Sequence, residues 1–497
     1  MTAPTAHGVQ QFWGVPYAAS TAGARRFLPP APRPGWTGVR DAFTVQERAP
    51  QDPDGPISEV WALDRREPMG EDCLSINVFT PGTDTTRRPV MVWLHGGGFS
   101  GGSGNWLVYD GTNLARKEDV VVVSVNHRLN LFGFLHLADL GGGERWADAT
   151  NVGMQDIVAA LGWVKENIAA FGGDPGNVTI FGQSGGGGKV CTLMAMPSAR
   201  GLFHRAIAMS GSAFRGASRE NATRAAEQFL ARLDIRPDNL DALQQLPWER
   251  VQQAFDTRPP IAGLGNGPVV DGRILPRDQW TPGAPADAVD VPLLVGSVET
   301  EDGWTDPPPP LDMPEAEMLS RVTRIAQGDA DLARELVALY RRRHPGISTT
   351  DVWLIMNADN TRRANAQRLA ALKAAQGGAP AYLYFFDWRS PVHGGQMKSY
   401  HTLDIPFAFS NVDIASSMTG SGQDRYALAH RMSGAWAAFA RSGNPAHPDL
   451  PAWPAFSADT YPTMVLGNDC RLERDPNREE RLALQALRDG RAASVGR

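Results

Sequence analysis

The sequence has few of the features that mark disulfide-rich, nucleic-acid-binding or membrane proteins. Its 497 residues include three cysteines, too few for a disulfide framework, and we interpret Cys73, Cys191 and Cys470 as free thiols. The 48 basic and 54 acidic residues give a net charge of −6, so no broad cationic surface predicts a nucleic-acid partner. No apolar run reaches the roughly 18 residues that would predict a membrane-spanning helix.

Signals for export and for metal binding are also lacking. Residues 1–11 contain neither the basic nor the apolar region of a secretory signal peptide. We therefore expect a cytoplasmic protein, unless the start of the given sequence has been trimmed. No His-x-x-x-His pair and no cysteine cluster has the spacing of metal ligands. The sequence therefore predicts an activity that needs no metal and no other cofactor.

The chain is long enough to bury a large core, because 42% of its residues are hydrophobic. Its length alone suggests about three domains, but no linker rich in Gly and Ser or in Pro repeats separates self-sufficient parts. We therefore predict one domain over residues 1–497. Residues 216–258 and 314–380, with approximate bounds, are rich in Ala, Leu, Arg and Glu and are predicted to be helical insertions that cap an active site. The sequence leaves the oligomeric state open.

The most informative stretch is Asn177–Gly186, in which a short β-branched run meets a serine flanked by glycines. This pattern predicts a strand, a sharp turn and a helix, and the Gly-x-Ser-x-Gly turn would project the Oγ of Ser184 into a cleft. Backbone N–H groups after the serine point the same way, so Gly185 is a candidate donor to the negative oxygen of acyl transfer. An ordinary glycine-rich turn can show the same five residues, so the assignment depends on partners elsewhere in the chain.

Continuous apolar runs of strand length indicate a sheet that is covered on both faces. One run, Pro89–Leu94, ends in a triple glycine that lets the backbone fold over an adjacent serine turn. Two later runs end in loops that carry Glu301 and His401. Ser184, Glu301 and His401 thus follow the serine, acid, histidine order of α/β hydrolases, each in a loop beyond a strand.

Several stretches together resemble the type-B carboxylesterase family, which includes cholinesterases and bacterial para-nitrobenzyl esterases. The resemblance covers about residues 12–455 and rests on the stretches Phe12–Ala18, Arg25–Pro30, Glu71–Val78, His95–Phe99 and Leu403–Phe407. It implies an α/β-hydrolase fold, with a large, mostly parallel central sheet, helices on both faces and helical cap insertions. It also implies that Gly97 and Gly98 join Gly185 in an oxyanion hole.

Acyl transfer assigns a role to each candidate residue. His401 takes the proton of Ser184 as the hydroxyl attacks a carbonyl, and Glu301 orients the imidazole and stabilises its cation. The glycine donors bind the oxyanion, and water then hydrolyses the acyl-enzyme. The predicted function is hydrolysis of a small-molecule carboxylic ester by a serine hydrolase.

Two positions depart from the family pattern. Gln183 stands where many relatives carry glutamate, which reduces the negative charge near the serine and is expected to affect the pH dependence. Asp302 stands where relatives often carry glycine, so two carboxylates are adjacent. Glu301 lies five residues after the strand-end Gly296, as the family's acid does, and we therefore assign Asp302 to solvent or to the cap.

The histidine also has a rival, because His393 lies just upstream in a loop that contains glycine. We prefer His401, since it alone precedes the family-like stretch Leu403–Phe407. Two other functions stay open. A carbamate or aryl-amide hydrolase would use the same chemistry with a different leaving group, and a non-catalytic, cholinesterase-like binding protein would share the fold, although such relatives typically lack the serine.

Overall fold

The apolar runs of the sequence become strands of one large sheet. The computed structural model describes residues 7–52, 67–303 and 309–495. Its strands are β1 (Gln10–Pro16), β2 (Ser75–Thr80), β3 (Arg88–Leu94), β4 (Val121–Val125), β5 (Gly173–Gln183), β6 (Arg205–Met209), β7 (Ala217–Ser218), β8 (Val269–Val270), β9 (Leu293–Val298), β10 (Ala381–Phe386), β11 (Pro462–Leu466) and β12 (Arg471–Arg474).

Within the described residues, ten of these strands pair in the order β1-β2-β4-β3-β5-β6-β9-β10-β11-β12, while β7 and β8 form a separate pair. The pairs from β4 to β11 are parallel, and the pairs at both edges, which include β1, β2 and β12, are antiparallel. The carboxyl ends of the parallel strands therefore meet at one edge of the sheet, where ligand sites of open α/β sheets lie.

Helices lie on both faces of the sheet and in the two predicted insertions. They are α1 (Thr112–Glu118), α2 (Asn130–Phe134), α3 (Val152–Asn167), α4 (Gly185–Leu193), α5 (Arg219–Arg232), α6 (Asp241–Gln245), α7 (Trp248–Asp256), α8 (Glu315–Ile325), α9 (Ala330–Arg343), α10 (Thr349–Ala358), α11 (Ala364–Ala375), α12 (Ile405–Ala408), α13 (Ser416–Thr419), α14 (Asp424–Ser442) and α15 (Arg478–Val495).

Alternate residues along a strand point to opposite faces of the sheet, and the core divides accordingly. On one face, Trp93 of β3 and Phe181 of β5 pack in the same cluster as Trp436 of α14. On the other face, their neighbours Val92 and Ile180 pack in a cluster that includes residues of α3 and α4. Burial on both faces explains why these strands are continuously apolar, and it confirms the predicted α/β-hydrolase architecture.

The two predicted insertions are largely helical. The segment from α5 to α7 packs in its own cluster with residues of α2 and of the loop that follows α2. Helices α8 to α10 form another cluster with Leu484 of α15. Helix α11 differs, because its Leu369 and Ala370 belong to the core on the sheet. The role of the insertions as a cap stays a prediction.

Two expectations from composition can be compared with the structure. The three cysteines are free thiols, with Cys73 and Cys191 buried and Cys470 half-buried. Among the helices of the described residues, none combines the length and the hydropathy needed to cross a bilayer.

Candidate active site

Ser184 lies at the sharp turn between β5 and α4. Its φ of +58° and ψ of −122° lie outside the ordinary regions for a residue with a side chain, a strain typical of a serine projected from such a turn. Its amide donates to Met209 O at 2.8 Å, and its carbonyl accepts from Gly188 N at 3.0 Å. A Cβ on Gly186 would overlap Leu94 O, so glycine is what allows α4 to approach the end of β3.

The triple glycine forms a loop beside this turn. Gly97 and Gly98 have φ values of +86° and +64°, and Gly101 N donates to Gly97 O at 3.1 Å. A Cβ on Gly185 would overlap the carbonyl oxygen of Gly98, so the two segments predicted to bind an oxyanion are in backbone contact. The structure therefore brings Gly97, Gly98 and Gly185 together next to Ser184.

A buried lysine ties the glycine loop to the helix that follows the serine. Lys189 of α4 donates from Nζ to His95 O at 2.9 Å, and burial lowers the pKa of Lys189 to about 7. The His95 ring is also buried, with Nδ1 2.8 Å from Gly96 O. Burial, and then the charge of Lys189, lower the pKa of His95 well below its usual range. A neutral imidazole therefore supports the start of the loop.

Glu301 and His401 come together from the loops that follow β9 and β10. The two loops are joined by a backbone hydrogen bond, in which His401 N donates to Glu301 O at 2.7 Å. Their side chains meet where His401 Nδ1 lies 2.5 Å from Glu301 Oε2, and Val298 N donates to Glu301 Oε1 at 3.2 Å. Since Glu301 is 0% and His401 7% exposed, a buried carboxylate orients the imidazole through Nδ1.

The surroundings of His401 favour its neutral form. Burial is the main cause that lowers the pKa of His401, and the positive charge of Arg362 lowers it further, while Glu301 and the more distant Asp302 raise it. Only a neutral imidazole can accept a proton from an attacking hydroxyl. The lowered pKa therefore extends the competence of His401 as a base toward acidic pH.

The rival residues lie elsewhere. Asp302 Oδ2 accepts a hydrogen bond from Asn357 Nδ2 of α10, so the second carboxylate of the pair faces the helical segment 314–380 while Glu301 contacts His401. His393 is exposed in a short turn. The structure thus brings together the two residues preferred from the sequence.

Two further side chains contact the Glu301–His401 pair. Gln183 Nε2 lies 3.3 Å from both ring nitrogens of His401. Arg362 Nε lies 3.5 Å from Glu301 Oε2. The sequence indicated that Gln183 lies near the site, because it directly precedes Ser184. It gave no such indication for Arg362, which lies within a predicted helical insertion and belongs to no recognisable motif.

One group of potential metal ligands lies outside the catalytic candidates. Among the described residues, His430, His447 and Asp449 offer ligand atoms within 4.8 Å of one another. His430 Nε2 already pairs with Asp449 Oδ2 at 3.2 Å. The three residues come from α14 and the loop that follows it, and their sequence spacing did not indicate a metal site.

Comparison with known proteins identifies one family. The sequence profile of the carboxylesterase family matches residues 1–484. The para-nitrobenzyl esterase of Bacillus subtilis (strain 168) is 36% identical over 487 residues, which cover 97% of this chain and 96% of that protein. The phenmedipham hydrolase of Pseudarthrobacter oxydans is 33% identical over 499 residues, with coverage of 97% and 96%. The structure of a thermophilic PNB esterase matches with a TM-score of 0.81 and 34% identity and covers 97% of both chains.

Proposed function

Because the chain belongs to the carboxylesterase family and is a carboxylic ester hydrolase, we propose that it cleaves small-molecule esters through Ser184, His401 and Glu301 by way of a covalent acyl-enzyme. The observation that carries this proposal is the buried 2.5 Å contact between His401 Nδ1 and Glu301 Oε2. It lies at the sheet edge where β5 ends in the strained turn of Ser184. These are the parts that activation of a serine hydroxyl requires.

In the acylation step, Glu301 holds the proton of His401 on Nδ1, which leaves Nε2 as the base. Nε2 takes the hydroxyl proton of Ser184 as Oγ attacks the ester carbonyl, and the imidazolium is stabilised by the buried carboxylate. The same proton is then delivered to the leaving alcohol, and the ester bond breaks. Water repeats the attack on the acyl-enzyme with His401 again as base, which regenerates Ser184.

The backbone N–H groups of Gly97, Gly98 and Gly185 stabilise the negative charge of each tetrahedral intermediate. Fixed N–H groups stabilise a developing oxyanion without reorganisation, so removal of one donor costs roughly 10² to 10³ in rate. The contact between Gly98 and Gly185 and the link from Lys189 to His95 support a role for the two segments as one rigid unit.

Valine at Gly97 or Gly98 is expected to lower kcat by about 10² to 10³. A side chain at Gly97 would overlap the carbonyl oxygen of Gly101, and at Gly98 it would have to adopt a φ of +64°, so either change displaces the N–H donors. The measurement is kcat with p-nitrophenyl acetate, beside thermal unfolding.

Gly346→Val is the matched control, because Gly346 also has a positive φ of +78° but has no neighbouring atom within 4 Å of an added Cβ. It should retain normal kcat. A folded Gly97 or Gly98 variant with unchanged kcat would place the oxyanion hole elsewhere.

A substrate panel tests the proposed function and its second candidate together. Carbamate or aryl-amide hydrolysis needs the same acyl transfer and differs in how the leaving group is protonated. The panel consists of p-nitrophenyl esters of graded chain length, one aryl carbamate, one anilide and phenmedipham, for whose hydrolysis a relative is named. We expect the highest kcat/KM with an ester. A higher kcat/KM with the carbamate or the anilide would favour the second candidate.

A further inference from the structure

Arg362 approaches Glu301 and His401 from an unusual piece of backbone. It belongs to a π-helical turn, Asp359–Arg363, between α10 and α11, and such turns are rare and frequently occur at functional sites. The turn is anchored by a buried ion pair between Arg363 Nη1 and Asp359 Oδ1 at 3.1 Å. The guanidinium of Arg363 also lies 3.8 Å from the ring centroid of Phe385 in β10, the strand that leads to His401.

The side chain of Arg362 is itself held in place. Its Nη1 donates to Ser210 O at 2.9 Å, just beyond the end of β6, and its Nε lies 3.5 Å from Glu301 Oε2. That carboxylate oxygen is the one that lies 2.5 Å from His401 Nδ1. One oxygen atom of Glu301 therefore faces both the imidazole and the guanidinium.

We propose that Arg362 is a positioning residue of the hydrolase. It holds the Glu301 carboxylate in contact with His401, and its own side chain is fixed by the hydrogen bond to the backbone carbonyl of Ser210. The inference rests on the proposed triad and deepens it. Glu301 is fully buried, and a buried carboxylate needs compensating partners to remain ionised. Arg362 supplies a fixed positive charge to that carboxylate and does not touch the reacting atoms.

The positive charge of Arg362 also affects the pKa of the His401 imidazole. Arg362 lowers the pKa of His401, and Glu301 and Asp302 oppose it. Removal of the guanidinium should therefore raise the pKa of His401, so that the base is protonated, and activity is lost, at a higher pH than in the wild type. Because the side chain of Arg362 is 36% exposed, solvent screens part of this effect.

Other groups near the pair titrate or carry charge and must be considered. Asp404 is buried near Glu301, and burial raises its pKa to about 7; Tyr384 donates from Oη to Asp404 Oδ2 at 2.9 Å. Gln183, which contacts His401 directly, is neutral. These groups are the same in all the variants below, so a difference between two pH profiles reports the charge at position 362.

The test is the pH dependence of kcat/KM with p-nitrophenyl acetate between about pH 4.5 and about pH 8.5, at low ionic strength. Arg362→Met should move the acidic limb upward by about 0.5 to 1 pH unit and lower kcat several-fold with little change in KM. Arg362→Lys keeps the positive charge, so the acidic limb of its pH profile should coincide with that of the wild type. Arg362→Gln replaces the methionine variant if that variant does not fold.

Arg368→Met is the matched control. Arg368 is an exposed arginine of α11 that lies over the ring of Phe214, and its loss should leave the profile unchanged. An acidic limb that is identical in wild type and Arg362→Met, or that shifts equally in Arg368→Met, would overturn the inference. Activity that survives in Ser184→Ala would instead overturn the proposed triad, so the two failures can be told apart.

Discussion

Replacement of Ser184 by alanine should abolish ester hydrolysis and leave the fold intact, with a loss in kcat on the order of 10⁴ to 10⁶. The hydroxyl is the proposed nucleophile, and the methyl side chain of alanine cannot form the acyl-enzyme. Alanine keeps the Cβ and so meets the same backbone strain at a φ of +58°. The residual rate over water would come from the oxyanion donors and substrate binding.

The measurement compares kcat for p-nitrophenyl acetate with circular dichroism and thermal unfolding of the same samples. Ser416→Ala, at an exposed serine of α13, is the control and should behave as wild type. An organophosphate should label wild type covalently at Ser184 and should not label the Ser184→Ala variant. If Ser184→Ala retained a tenth of the activity, the nucleophile would be a different residue.

The second large effect is expected at Glu301, where glutamine should lower kcat by about 10³ to 10⁴. Glu301 Oε2 lies 2.5 Å from His401 Nδ1, and in the proposed mechanism it accepts a hydrogen bond from the Nδ1–H group. An amide at this position can present an N–H to Nδ1, which would leave the proton on Nε2 and block the base. It would also remove the negative charge that stabilises the imidazolium in this buried pair.

Asp302→Asn is the matched comparison, since it alters the adjacent carboxylate. Asp302 is hydrogen-bonded to Asn357, so its replacement should lower kcat less than about tenfold, or under about 1.4 kcal/mol in activation free energy. Both variants are measured above about pH 7, where the imidazole of His401 is neutral. If Asp302→Asn lowered kcat strongly and Glu301→Gln left kcat nearly normal, the assignment of Glu301 as the acid of the triad would be wrong.

Much of the fold could be predicted because the sheet is buried on both faces. Burial requires continuous apolar runs, and the apolar run Ala381–Phe386 forms β10 over the same residues. The apolar pattern locates the strand ends less accurately, since the apolar run Val291–Gly296 only overlaps β9, which spans Leu293–Val298. Its register follows from pairing with β10, in which Ala381 lies opposite Leu293, and such pairing is a property of two distant segments.

The packing of the charged C-terminal helix also could not be predicted from the sequence. Residues beyond Arg471 are highly charged, a composition that predicts a solvated helix or tail. Instead, α15 has its Leu484 fully buried in a cluster with α8 to α10, and Glu480 of the same helix is also buried. A charged helix with few apolar residues does not reveal which other helices will cover them.

The sequence by itself determined the family, the fold class and the enzymatic class, and the comparisons confirm all three. The predictions of Ser184, Glu301 and His401, and of the three glycines, also came from the sequence, because a nucleophile turn, a triple glycine and ordered loops after strands are local patterns. Their catalytic roles stay predictions until the variants are measured.

Only the tertiary structure decided which groups surround Glu301 and His401. It directed Asp302 toward Asn357 and placed the Gln183 amide 3.3 Å from both nitrogens of His401. It also brought Arg362, from a helical insertion, to the carboxylate of Glu301. Local patterns specify the residues that need a particular backbone, whereas the electrostatic environment of a buried histidine depends on side chains that reach it through space from segments distant in sequence.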